Sequence, residues 1–106
     1  MNFDFKGMLE QAKKVKEEIE KTKDELKKHT VEGESGGGIV KVKFNGDHQM
    51  LKLEVDENII NAGDNQMVMD LIVAAVNNGL EKVKDLHDEE MKKVSSFLPN
   101  IPGFNL

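Results

Sequence analysis

The chain has 106 residues, 38% hydrophobic and 33% charged. That is enough for one small domain with a thin core, and too short for a multidomain enzyme. Twenty acids against fifteen bases give a net charge of −5; every base is Lys, and Cys, Trp and Tyr are absent, which excludes disulfides, thiolate metal sites and thiol nucleophiles. The opening residues Met1-Asn2-Phe3-Asp4-Phe5 form no basic-then-apolar leader, and no apolar run approaches the roughly 18 residues of a membrane span. The sequence reads as a soluble intracellular domain, with no cofactor implied.

Residues 5–29 are almost all good helix formers. Phe5, Met8, Ala12, Val15, Ile19, Thr22 and Leu26 recur at alternating spacings of three and four, an a/d heptad seam. The spacing predicts a rod on the order of 37 Å long. Glu10–Lys14, Glu17–Lys21 and Asp24–Lys28 stand four apart with the acid first, the stabilising orientation on an exposed helix. Ala12 and Thr22 bury little, so the seam needs a second helix to cover it.

Over residues 30–56 the period changes to two. Val40, Val42 and Phe44 share one strand face and Lys41 and Lys43 the other; Leu51, Leu53 and Val55 line the return strand, with Lys52 and Glu54 opposite. Asn45-Gly46 between them predicts a two-residue type I′ hairpin, in which both turn residues take positive φ. Residues 30–35, joined through Gly36-Gly37-Gly38, supply a third strand. The expected unit is a three-stranded antiparallel meander with one buried face. Residues 56–63 then form a turn or a short helical turn. Asp64 is placed to cap a second long helix over 64–96, whose apolar stripe runs through Val68, Leu71, Ile72, Ala75, Val76, Gly79, Leu80, Val83 and on to Met91 and Val94. Gly79 interrupts helix propensity but permits close packing. Pro99 and Pro102 keep the tail, 97–106, from continuing the helix. The fold class is α+β: helix, three strands, helix, in a single domain over 1–106.

No pattern here fits catalysis. Gly36-Gly37-Gly38 opens a strand at Ile39, whereas a P-loop opens a helix with Gly-Lys-Ser/Thr. A calcium loop begun at Asp56 has Asn61 and Met67 where Gly and Glu are required. Of His29, His48 and His87, His87 stands three residues before a carboxylate on the second helix, Glu90, and the two read as a solvated surface pair. Asp88-Glu89-Glu90 reads as the solvated face of a helix. Ser35, Ser95 and Ser96 have no recognisable base or elbow.

The lysines of the first helix remain. Residues 1–30 hold eight Lys against seven acids, residues 31–63 three against six, and residues 64–106 four against seven. Only the first helix is non-negative. Lys6, Lys13 and Lys27 occupy heptad position b, and Lys16 and Lys23 position e. These rows lie about 60° apart on the helical wheel, so five lysines form one stripe, interrupted at Glu20. Such a stripe suits a phosphate backbone; the plainer reading is a solvated helix.

Val31-Glu32-Gly33, the triple glycine, Val40-Lys41-Val42, Asn45-Gly46, Met67, Asp70-Leu71-Ile72, Ala74-Ala75-Val76-Asn77 and Pro102-Gly103, in that order, resemble the YbaB/EbfC nucleoid-associated family. The resemblance spans nearly the whole chain. It implies a tweezer-like bacterial homodimer with protruding helices, cytoplasmic and nucleoid-located, that binds DNA and catalyses nothing. Lys6, Lys13, Lys16, Lys23 and Lys27 are then the expected DNA contacts, made largely to the backbone. The absence of Arg argues against bidentate guanine readout. The alternative is a prefoldin-like co-chaperone or scaffold module, since helix, hairpins and helix in this length also resemble that design.

Overall fold

Residues 4–95 are described by the computed structural model, so the expectations for the 97–106 tail and for Ser96 fall outside them. Helix α1 spans Phe5–Lys28, strands β1, β2 and β3 span Thr30–Ser35, Val40–Asn45 and Met50–Val55, the short helix α2 spans Glu57–Asn61, and helix α3 spans Asn65–Ser95. This is the expected α+β order. The sheet is an antiparallel meander in the order β1-β2-β3.

Local chemistry sets the helix boundaries. Asp4 caps α1 by accepting a hydrogen bond from the Gly7 amide at 2.9 Å, and Asp64 accepts one from the Met67 amide at 3.0 Å. Each carboxylate satisfies an amide that the helix leaves without a partner, and each sits at the positive end of a helix dipole. Lys27 and Lys28 end α1, and Lys92 and Lys93 end α3, at the opposite pole.

The core lies where α3 crosses the sheet. Val40, Val42 and Phe44 are buried together with Ala75 and Val83. Two glycines meet at the crossing. A Cβ on Gly33 of β1 would collide with the backbone of Gly79 and Ala75, and a Cβ on Gly79 would sit 2.6 Å from the Phe44 ring. Hydrogen bonds lock β1 under one flank of α3. The Glu34 amide donates to Asn78 Oδ1 at 3.0 Å, Ser35 Oγ to the Leu71 carbonyl at 2.6 Å, and Lys82 Nζ to the Glu32 carbonyl at 2.7 Å.

Three expectations need correction. The hairpin is not type I′: neither Asn45 nor Gly46 has positive φ, and His48 instead takes φ 62°. The turn closes with the His48 amide donating to the Asn45 carbonyl at 3.3 Å, a three-residue loop with a left-handed last residue. Asn45 works through its side chain, whose Oδ1 accepts from the amides of Asp47 and Gln49 at 2.9 and 3.1 Å. Gly46 is needed for contact rather than φ. Its amide donates to the Leu26 carbonyl at 2.9 Å, and a side chain there would strike that same carbonyl.

Second, the sheet face is not covered throughout. Leu53 pairs with buried Val42, yet it is 45% exposed, and Leu51 is 52% exposed. Helix α3 covers β1 and β2 and leaves β3 open. Third, the Asp88-Glu89-Glu90 run is only partly solvated, because Glu90 is buried and accepts from Lys93 Nζ at 3.0 Å.

Asn45→Ala removes both Oδ1 bonds and the 2.7 Å bond from Nδ2 to Gln49 at a buried position. Thermal denaturation should show a loss of about 1–2 kcal/mol. An unchanged midpoint would mean that the turn holds without its side chain.

Candidate nucleic-acid interface

Helix α1 has two unlike halves. Towards its C-terminus Thr22 and Leu26 are buried, and Glu18, Thr22 and Glu25 line one groove with Glu90, Lys93 and Val94 of α3. Among the described residues, the covering helix expected for the seam is therefore α3 of the same chain, along that half. Of residues 4–14 every one but Gly7 is exposed, including Met8 at 57% and Leu9 at 50%. This half projects as an arm. The molecule is 75 Å long and its radius of gyration is 20.5 Å, against about 13 Å for a compact domain of this length.

Lys6, Lys13, Lys16, Lys23 and Lys27 are all exposed on this helix. Helical geometry aligns them in two adjacent rows over about 32 Å. None of the α1 acid–lysine spacings, Glu10–Lys14, Glu17–Lys21 or Asp24–Lys28, closes to an ion pair among the described residues. The lysines of α1 stand beside acids without being bonded to them.

The lysines of the sheet are balanced by acids. On the outer sheet face Lys41 lies opposite Glu34 and Glu54, and Lys43 opposite Glu32 and Lys52. The like-charged Lys43–Lys52 pairing is relieved by Glu54, whose oxygen lies 2.7 Å from Lys52 Nζ. That hydrogen bond, reinforced by the opposite charges, holds the Glu54 carboxyl below its ordinary range and raises the Lys52 ammonium above its own. The face is thus close to neutral.

The remaining candidates are structural. Gly36, Gly37 and Gly38 take φ of 60°, 69° and 98° and turn β1 into β2. The His87–Glu90 surface pair does not form as expected. His87 is half-buried and, in the Nε2-protonated tautomer, donates to the Gly46 carbonyl, while its ring lies 5.0 Å from that of His48. Among the described residues no group of three or more His, Asp or Glu is arranged to hold a metal, and no helix is long and apolar enough to cross a membrane.

What this geometry presents is a lysine-striped arm on a small α+β body. The model of the YbaB/EbfC DNA-binding family matches residues 1–98. The chain belongs to that family. The family is non-enzymatic, and its assignment sets the prefoldin-like alternative aside. A nucleoid-associated protein of Thermoanaerobacter pseudethanolicus is 37% identical over 101 residues, covering 95% of this chain and 90% of that one. Another from Anaeromyxobacter dehalogenans is 41% identical over 100 residues, covering 94% and 96%. The crystal structure of an uncharacterized Helicobacter pylori protein superposes with a TM-score of 0.78 at 22% identity, over 89% of this chain and 99% of that one. That match bears on the fold alone.

Proposed function

We propose that the chain binds duplex DNA as a homodimer in the bacterial cytoplasm, at the nucleoid, through backbone contacts from Lys6, Lys13, Lys16, Lys23 and Lys27. The observation that carries this is the long first helix of a DNA-binding-family protein, projecting over its N-terminal half, with all five lysines exposed along it. Relatives named as nucleoid-associated support the location. A net charge of −5 repels a polyanion at long range, but at physiological salt charges beyond about 8 Å are screened. The projecting end of the helix holds Lys6, Lys13 and Lys16 away from the acidic body, while Lys23 and Lys27 lie on the half that packs against α3. Binding is then modest in affinity, indifferent to sequence and steeply salt-dependent. Retardation of a 30-base-pair duplex in a gel, repeated across salt concentrations, tests it; no retardation even at low salt overturns it.

The second copy follows from surface left open. One flank of α3 is bonded to β1, so the other, carrying Met69, Val73, Val76 and Leu80, lies towards β3. Met69 and Val73 are 53% and 59% exposed. We infer that with exposed Leu53 of β3, opposite buried Val42, they form one apolar trough. Leu53→Lys should turn a dimer of about 24 kDa into a monomer in sedimentation equilibrium. A wild-type monomer at micromolar concentration, or a dimeric Leu53→Lys, would rule the trough out as the interface.

A further inference from the structure

Leu9 falls inside the lysine stripe. It occupies heptad position e, the same row as Lys16 and Lys23, so the outer three turns of the arm read Lys6, Leu9, Lys13, Lys16. Position e beside a coiled-coil seam is ordinarily charged. A Leu there calls for an apolar partner, and α3 does not supply one: Leu9 is 50% exposed, and the adjoining Met8 57%. The same half of the helix is also its basic half. Residues 4–16 carry four lysines against two acids, residues 17–28 four against five. At Leu9 exposed apolar surface thus lies within the arm's positive charge, which suits an occupant both anionic and apolar.

We propose that Leu9 is an apolar wedge that enters the DNA minor groove and unstacks one base step while Lys6 and Lys13 hold the phosphates on either side. This rests on the DNA reading above. Lys6 and Lys13 are seven residues apart, about 10 Å along the helix, a span suited to straddling the narrow minor groove from strand to strand. Lying deep in the major groove, a helix meets phosphates on both flanks. Here the row next to the lysines is Glu10, Glu17 and Asp24, which phosphates would repel. Contact along one ridge avoids that repulsion and aims Leu9 at the groove floor. Apolar side chains so placed part base steps and bend the duplex.

The test uses a 30-base-pair duplex with 2-aminopurine at a central TpA step and a fluorophore at each end. Full-length wild-type protein should raise the 2-aminopurine emission at least about twofold and shorten the end-to-end distance. Leu9→Gln keeps helix propensity and should lose most of both signals while the slope of log K against log salt holds within about one unit. Leu9→Met should restore the signals. Four results overturn the wedge: wild-type binding without either signal, Leu9→Gln retaining both, Leu9→Gln sedimenting as a monomer, or Leu9→Gln losing only its affinity for phosphatidylserine vesicles. The third would assign Leu9 to contact between copies, the fourth to a membrane. Absence of any duplex retardation by wild-type protein is a different failure, that of the DNA reading itself, and the wedge falls with it.

Discussion

Gly33→Ala should cost about 3 kcal/mol, most of the stability of a marginal small domain. The new methyl meets backbone, the amide of Gly79 and the carbonyl of Ala75, and backbone inside a helix cannot rotate out of the way as a side chain can. Either α3 lifts off β1 or β1 leaves the sheet. Both break the hydrogen bonds from the Glu34 amide and Ser35 Oγ that fix β1 beneath α3. Two other glycines grade the effect. Gly79→Ala meets the Phe44 ring, which can shift, and it gains helix propensity of about 1 kcal/mol, so its net cost should be smaller. Gly37→Ala meets nothing within 4 Å but sits at φ 69°, and should cost about 1 kcal/mol for the left-handed conformation alone. Urea midpoints ranking Gly33→Ala least stable and Gly37→Ala nearest wild type would bear this out. Equal losses at the three sites would mean that conformational freedom, and not the helix–strand approach, is what these glycines supply.

Much of this architecture is legible in residue spacing because spacing reports local geometry. Alternation at Val40, Val42 and Phe44 marks β2, and the Phe5-to-Leu26 heptad marks α1. Contacts between distant segments carry no such signature. Asn45-Gly46 locates the hairpin correctly, but its turn type is decided by the end of α1: Gly46 must approach the Leu26 carbonyl, and the left-handed residue moves to His48. Likewise the alternation finds Leu53 and Val55 on the inward face of β3, opposite Val42 and Val40, without revealing the register shift that sets Met50 rather than Leu51 opposite Phe44, or that α3 stops short of covering Leu53. The lysine stripe was readable from heptad positions alone. Which stretch of α1 packs against α3 was not, because it is a contact between distant segments: among the described residues, α3 lies against residues 18–26, and residues 4–14 other than Gly7 are exposed. Leu9 lies outside the a/d pattern; its exposure, not its spacing, singles it out.

The triple variant Lys13→Gln, Lys16→Gln, Lys23→Gln should weaken duplex binding at least tenfold near 0.1 M salt and flatten its salt dependence. Each lysine engaged with a phosphate releases a condensed counterion, so log K falls with log salt by about 0.9 per contact. Two to four lysines engaged on each arm of a dimer give a slope of about −4 to −7. Removing three from each arm leaves Lys6 and Lys27, at opposite ends of the stripe, and the slope should approach about −2 to −4. Gln is nearly as good a helix former as Lys, and all three positions are exposed without a closed ion pair among the described residues. Thermal stability and dimer mass should therefore hold, which separates lost contacts from lost structure. Because phosphates look alike at every step, the loss should be the same on A·T-rich and G·C-rich duplexes. Undiminished affinity in the folded variant would move the contact off the arm, with Lys82, Lys84, Lys92 and Lys93 of α3 the next set to replace. A loss confined to one duplex sequence would indicate base readout, and the lysine stripe would then be reading more than charge.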